Sequence, residues 1–537
     1  MQPRSIALIG ILFMVVAGGL VAAWAWLGAP VEMPQPKVRA GEKLHCLSYA
    51  PFRAGQNPFG PDVPLDPRQI EEDLRQLKEV TDCVRTYSVD HGLDRIAQIA
   101  KTQNMKVLQG LWLSSIAETN RKQVTTAIAL AEQFPDVIAG VIVGNEVLLR
   151  GEMGAPELVG IIREVKTRVT APVTYADVWE FWLAHQEVAS AVDFITVHIL
   201  PYWEDFPIPA DAAASHVDAI RKRMAAAFPG KDILIGEFGW PSAGRMRDGA
   251  LPSRVNQARA IQEVVALARR ENYALNLIEA YDQPWKRQLE GTVGGHWGLF
   301  DAYDRHVKFE WGRPVSNHPH WRGQAAAAVA FLFVVVGLVC IRRGANRASA
   351  GMWLRVATLG FVSASLMPWT MTNVPLESLT RGDWLRSLAW AAMALLAPLF
   401  AAVALPADVG VPSCRLMLSR GAPRPLSGIS WWLGLALIGT GVLAVQAALG
   451  LVFDPRYRDF PFAPLTGAAV ALALATGWEW RPAPLAAEGC MAATIGACAL
   501  YIVFNEGIAN WQALWFAGAL VLLALTLVQV RDAPSSK

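Results

Sequence analysis

Val137-Ile138-Ala139-Gly140-Val141-Ile142-Val143-Gly144-Asn145-Glu146-Val147 and, further on, Ile233-Leu234-Ile235-Gly236-Glu237-Phe238-Gly239-Trp240-Pro241 are the stretches on which the fold turns. Each is a short apolar run rich in β-branched residues that ends in a carboxylate. Such a run, bounded by turn residues and lacking polar alternation, reads as a strand buried on both faces of a parallel sheet. Carboxylates at the C-terminal ends of parallel strands lie where a (β/α)8 barrel keeps its working residues.

Reading outward from these two runs, strand-like segments recur at Leu44–Tyr49, Cys83–Tyr87, Lys106–Leu111, Ile138–Val143, Val173–Tyr175, Phe194–Val197, Ile233–Ile235 and Leu275–Ala280. Amphipathic runs alternate with them, among them Ile70 to Leu77, Val124 to Phe134 and Val255 to Ala268. Eight strands with helical crossovers over residues 41–316 have the length of one α/β (β/α)8 TIM barrel. The count puts Glu146 at the end of strand 4 and Glu237 at the end of strand 7. A flat doubly wound sheet is the alternative, and it has no reason to carry carboxylates at these two ends.

The remainder of the 537-residue chain has a different character. The chain is 53% hydrophobic and only 18% charged, but the excess is concentrated outside the barrel segment. Ile6 to Leu27, preceded by Arg4, is long enough to span a bilayer and longer than a typical signal-peptide core. Residues 1–29 are therefore expected to form an uncleaved transmembrane anchor, followed by a Pro-rich linker at 30–40. Beyond the barrel, 323–530 holds seven more apolar runs, at 323–341, 350–371, 386–405, 430–453, 463–480, 487–504 and 510–530. They predict an all-α polytopic membrane domain, with eight spans in total. Arg342, Arg343 and Arg347, and then Arg415, Arg420 and Arg424, mark alternate loops, which orients the chain by the positive-inside rule. The N terminus and a short tail at 531–537 lie in the cytoplasm and the barrel lies outside. Charged residues within the runs are sparse, and most tryptophans there sit at run ends, as in an interfacial aromatic belt.

Net charge is +2, without the basic stripe that nucleic-acid binding requires. Of the six cysteines, Cys340, Cys414, Cys490 and Cys498 show no paired metal-ligand spacing. Cys46 and Cys83 fall on the first two strands. Export would permit a bridge between them; adjacent parallel strands rarely offer disulfide geometry, which favours two buried thiols.

Two carboxylates flanking one cleft are the minimum for cleaving a glycosidic bond, one as acid/base and one as nucleophile or second base. Asn145, beside Glu146, is placed to donate to a sugar hydroxyl. Gly144-Asn145-Glu146 together with Gly236-Glu237-Phe238-Gly239-Trp240-Pro241-Ser242 resembles the family-17 glycoside hydrolases, the β-1,3-glucanases and related transglycosylases. Val84-Arg85-Thr86-Tyr87, Val197-His198-Ile199-Leu200-Pro201-Tyr202-Trp203 and Trp297-Gly298-Leu299-Phe300-Asp301 resemble further motifs of that family. The sequence departs from the plant members, which carry Asn where His198 stands and Tyr where Leu200 stands. The plant members have an auxiliary acid and a lysine after strand 8; the resemblance matches Lys286 to that lysine and Asp282 or Gln283 to the position of that acid. The Pro-Tyr-Trp motif and the anchoring resemble the bacterial membrane-bound branch.

The resemblance implies Glu146 as acid/base and Glu237 as nucleophile, with substrate contacts drawn from Asn145, Arg85, Tyr87, Tyr175, His198, Tyr202, Trp203, Trp240, Asp282, Trp285, Lys286 and Trp297. Several of these have a plain structural alternative. Tyr175 either bonds Glu237 or is satisfied by backbone. Arg85 either orients Glu237 or forms an interior salt bridge. The tryptophans either stack on sugar or fill the top of the barrel. His198 is a structural or sugar-binding residue rather than a metal ligand, because no second ligand stands at suitable spacing.

No metal or organic cofactor is expected. The expected function is a membrane-bound retaining transglycosylase that remodels, branches or cyclises β-1,3-glucan. The barrel would face the periplasm of a bacterial inner membrane, beside a membrane glucan synthase as partner. A periplasmic β-1,3-glucanase and a non-catalytic glucan sensor or transport component are the alternatives.

Overall fold

The computed structural model describes residues 3–34, 42–59, 65–342, 349–418, 428–477 and 485–530. The expected tail at 531–537, most of the linker, and Arg343, Arg347, Arg420 and Arg424 lie outside the described residues. The chain forms two compact units, one of residues 31–243 and 250–315, the other of residues 1–30, 244–249 and 316–537.

The first unit is a closed barrel of eight parallel strands in sequential order: β1 (Cys46–Ser48), β2 (Cys83–Arg85), β3 (Lys106–Leu111), β4 (Ile138–Asn145), β5 (Val173–Val178), β6 (Ile195–His198), β7 (Ile233–Phe238) and β8 (Ala274–Leu277). β1 closes the ring by pairing with β8, Cys46 opposite Asn276. All eight positions match the strand-like segments of the sequence, with shifted ends. β5 runs on past Tyr175, which brings Asp177 into the sheet.

The crossover helices start and stop where their sequences provide the signals. In Pro67–Leu77, Asp66 accepts a hydrogen bond from the Arg68 N–H and Pro67 occupies the first turn, where its missing N–H costs nothing. Ile70, Leu74 and Leu77 then face the strands. Arg254–Arg270 is capped by Ser253 and buries Val255, Ala258, Ile261, Val264, Val265 and Ala268 at the period of a helix face. Inside the barrel, Cys46, Leu108, Ile142, Ala176 and Leu234 form an apolar floor, with Cys83, Phe194 and Ala274 packed against it.

Cys46 and Cys83 are joined in a disulfide, which corrects the expectation of two free thiols. β1 and β2 pair with Leu47 opposite Val84, so the two cysteines, each one residue earlier, are also opposite one another. Both belong to the interior floor, and their Cα atoms are 4.6 Å apart, within the range a disulfide spans.

The second unit is helical: Pro3–Leu27, Trp321–Arg342, Ala350–Leu376, Arg381–Ala404, Gly428–Phe453, Phe462–Thr476, Ala486–Glu506 and Trp511–Leu527 are its main helices. Six helices of the described chain are long and apolar enough to cross a membrane. The apolar runs expected at 463–480 and 510–530 form shorter helices, of 15 and 17 residues. Phe462–Thr476 buries Gly467, Ala468, Ala469, Ala471 and Ala473, the small residues that let apolar helices approach closely. Residues 244–249 belong to this unit. There Arg245 is buried in an ion pair with Glu506 and lies over the Phe460 ring, and the Met246 N–H donates to Gln512 Oε1.

Candidate active site

The interior of the barrel changes character above its apolar floor. Ser48, Arg85, Thr174, Thr196, His198 and Asn276 are all buried polar residues on the strands. At this level the chain brings together Arg85 from β2, Asn145 from β4, His198 from β6 and Glu237 from β7, with Glu146 directly after β4.

Arg85 is 1% exposed and acts as the hub. Its Nη1 donates to Glu237 Oε1 at 2.9 Å and to the Gly236 carbonyl at 2.8 Å. Its Nη2 donates to Asn145 Oδ1 and lies 3.4 Å from His198 Nε2. Arg85 and Glu237 thus form a buried ion pair in the barrel interior. Its guanidinium also lies over the Tyr87 ring, 4.6 Å from the centroid.

Glu237 is 5% exposed, and burial pushes its pKa up. The opposing influences win and hold it below the usual glutamate value: His198 when protonated, then Arg85, Lys286 and the Tyr87 hydroxyl. A carboxylate kept ionised although buried suits a nucleophile.

Glu146 is held differently. Its φ is +52°, a left-handed conformation that costs a non-glycine residue about 1–2 kcal/mol. The turn starts at Gly144, φ +88°, where a Cβ would lie 2.7 Å from Val147 Cγ2. The Glu146 N–H donates to the Ala176 carbonyl at 2.7 Å, and its own carbonyl accepts from the Arg150 N–H at 2.8 Å. These bonds hold the strained backbone, and the side chain remains 23% exposed. Glu146 Oε1 is 2.9 Å from His198 Nδ1.

One oxygen each of Glu146 and Glu237 and one nitrogen of His198 lie within 4.8 Å of one another. That spacing would also suit a metal ion. The Arg85 guanidinium, however, already sets a fixed positive charge against both Glu237 and His198, which works against a further cation there.

The remaining sequence candidates divide by exposure. Tyr87, Trp203, Trp285 and Lys286 keep solvent-accessible surface. Tyr175, Tyr202, Trp240, Asp282 and Trp297 are buried, and each is engaged within the fold. Tyr175 donates to Asp177 and accepts from the Leu148 N–H, so neither Glu237 nor backbone alone is its partner. Trp240 is 0% exposed and donates to the Leu251 carbonyl, which leaves it no face for a sugar. Trp297 stacks beneath Trp203 with an interplanar angle of 19°, so Trp203 presents the accessible face of that pair. Asp282 accepts from Lys308 Nζ at 2.6 Å and from the Gly298 N–H at 2.9 Å, fastening the closing motif to the end of the barrel.

The sequence reading missed two features. One is the ion pair of Lys286 with Glu279, whose pKa burial raises to about 7. Gly236 is the second: a Cβ there would lie 2.3 Å from Thr196 Cγ2 and 3.2 Å from His198 Cδ2. Its lack of a side chain makes room for the histidine ring.

A closed parallel barrel with two unlike carboxylates facing each other at its C-terminal rim defines the glycoside hydrolase class of site. Residues 46–298 match the model of the BtgE/BtgC glycoside hydrolase domain. The chain belongs to this family. It is 30% identical over 262 residues to a glucan 1,3-beta-glucosidase of Arthroderma benhamiae, covering 45% of this chain and 84% of that protein. It is 29% identical over 228 residues to a probable beta-glucosidase btgE of Aspergillus fumigatus, covering 41% of this chain. The chain spans 40% of that relative's length. Among solved structures, the glycoside hydrolase family 17 beta-1,3-glucanosyltransferase of Rhizomucor miehei aligns with a TM-score of 0.44 and 24% identity, over 50% of this chain and 96% of that one.

Proposed function

We propose that this protein is a retaining transglycosylase acting on β-1,3-linked glucan, membrane-bound, with its barrel in the periplasm of a bacterium. The observation that carries the reading is the approach of Glu146 and Glu237 carboxylate oxygens to within 4.8 Å. Carboxyl groups about 5 Å apart leave no room for a water between nucleophile and sugar, as inversion requires, and suit a covalent glycosyl-enzyme.

In this mechanism the ionised Glu237 attacks the anomeric carbon while Glu146 gives a proton to the departing glycosidic oxygen. The C–O bond to the leaving sugar breaks and the bond to Glu237 forms. Glu146, now a carboxylate, then takes a proton from the acceptor hydroxyl as that oxygen displaces Glu237. Arg85 fixes Glu237 throughout, and Trp203 and Trp285 offer aromatic faces for neighbouring glucosyl units.

The names of the relatives, a glucan 1,3-beta-glucosidase among them, support β-1,3-glucan as substrate. Six long apolar helices support residence in a membrane. The Cys46–Cys83 disulfide supports an oxidising compartment for the barrel. Permanent anchoring favours a sugar over water as acceptor, since an anchored enzyme can remodel a chain as a neighbouring synthase extrudes it. The glucosidase names favour hydrolysis as the second reading.

The deciding experiment incubates the full-length protein in detergent with β-1,3-gluco-oligosaccharides and follows products by mass spectrometry and linkage NMR. Products longer than the donor, absent with Glu237→Gln, establish transglycosylation. Shorter products alone establish a glucanase. Binding without turnover returns the chain to a sensor.

A further inference from the structure

His198 lies between the two glutamates, yet the double displacement just described gives it no task. Its ring is 0% exposed, so it does not touch a sugar. Nδ1 is 2.9 Å from Glu146 Oε1, and Nε2 is 3.5 Å from Glu237 Oε1 and 3.4 Å from Arg85 Nη2. Gly236, the residue before the nucleophile, keeps the space for the ring open: an added Cβ would lie 3.2 Å from Cδ2 and 3.4 Å from Nε2.

The partners of the ring decide where its proton sits. A guanidinium nitrogen only donates, so the imidazole nitrogen facing Arg85 Nη2 is the accepting one. The single ring proton then belongs on Nδ1 and is donated to Glu146 Oε1.

A neutral carboxyl and a carboxylate can both accept an N–H bond at Oε1. The bond therefore survives both halves of the reaction, and the mobile proton is confined to Oε2. In the first half Oε2–H gives its proton to the glycosidic oxygen. In the second half Oε2 receives one from the acceptor hydroxyl. His198 keeps its own proton throughout.

We infer that His198 is a positioning residue for the acid/base, fixing which oxygen of Glu146 carries the proton. The inference rests on the retaining reading given above, with Glu146 as acid/base.

The test compares two leaving groups on the full-length protein in detergent. A β-1,3-gluco-oligosaccharide needs its leaving oxygen protonated; a 2,4-dinitrophenyl β-laminaribioside does not. Removing acid assistance costs about 10²–10⁴-fold, so His198→Leu is expected to lower kcat/KM on the oligosaccharide by about 10²-fold, with the dinitrophenolate burst rate changed by no more than about threefold. Azide, a nucleophile that needs no base, is expected to restore turnover of the aryl glycoside and give a β-glycosyl azide. His198→Asn, which retains a side-chain N–H, is expected to recover most of the oligosaccharide rate. The burst amplitude counts folded active sites, so misfolded protein drops out of the comparison.

A burst rate that falls in parallel with the oligosaccharide rate overturns the inference and assigns His198 to Glu237. Equal activity of His198→Leu and wild type on both substrates also overturns it. If the wild type forms no covalent adduct at Glu237 with a 2-deoxy-2-fluoro glycoside, the retaining reading itself fails, and that result is obtained without any His198 variant.

Discussion

Replacing Arg85 with methionine keeps the length of the side chain and removes the guanidinium that bonds Glu237, the Gly236 carbonyl and Asn145. Burial already pushes Glu237 towards the neutral acid, and Arg85 is one of the positive groups that reverse that push. A unit-charge pair at about 4 Å is worth about 4 kcal/mol at an effective dielectric of 20. Loss of the guanidinium is therefore expected to raise the Glu237 pKa. With Glu237 as the proposed nucleophile, which must be ionised, its pKa sets the acidic limb of kcat/KM, and that limb is expected to move to higher pH with it. Stability has a matching sign. A carboxylate with a depressed folded pKa contributes stability that is present above its unfolded value and lost as pH falls through the folded value. Arg85→Met is therefore expected to lower the melting temperature of the barrel most at neutral pH, with the gap to wild type closing on acidification. The assay is kcat/KM for laminaripentaose across the acid range, with scanning calorimetry on the same samples. An acidic limb that stays in place while the plateau falls would refute the reasoning and leave Arg85 a packing residue.

Three further outcomes are expected. Glu146→Ala loses about 10²–10⁴-fold on oligosaccharides, retains dinitrophenolate release and regains turnover with azide, whereas Glu237→Gln loses both reactions and azide restores neither. Gly236→Ala forces a methyl group to 2.3 Å from Thr196 Cγ2 and against the His198 ring, so a barrel destabilised by about 1–3 kcal/mol and a kcat reduced more than KM are expected from thermal unfolding and steady-state kinetics. Reduction of the Cys46–Cys83 bridge, or Cys83→Ser, lowers barrel stability by about 2–4 kcal/mol, and reductant has no further effect on the serine variant; calorimetry with and without dithiothreitol reads this directly.

The strands were legible because the interior of a parallel barrel imposes a local signature. Runs such as Val141-Ile142-Val143 are buried on both sides and show no polar alternation. The two glutamates were legible for a related reason: each interrupts such a run at a strand end, where water is near. The disulfide was not legible, because only the β1–β2 register places Cys46 opposite Cys83 with both facing inward. Gly236 carried no signal because its contribution is the space it leaves, and that space has meaning only once β6 brings His198 beside it. The ion pair of Lys286 with Glu279 was not legible for a similar reason. Asp282 and Gln283 are nearer in sequence, but the turn after β8 directs Asp282 to Lys308 and leaves Glu279 to meet the lysine. Which of the tryptophans are covered by others depends on tertiary packing. Among the described residues, the apolar runs at 463–480 and 510–530 form helices of 15 and 17 residues.

Glu146 occupies a backbone conformation that its own residue type resists, with φ at +52°. Glycine adopts that conformation without penalty and asparagine tolerates it better than glutamate. At this one position, then, the substitutions that would most relax the backbone are those that remove the proposed acid. A lineage drifting under selection for abundance or heat resistance alone would gain folding stability by disarming itself here. The same logic warns against stability-guided redesign of the Gly144–Val147 turn.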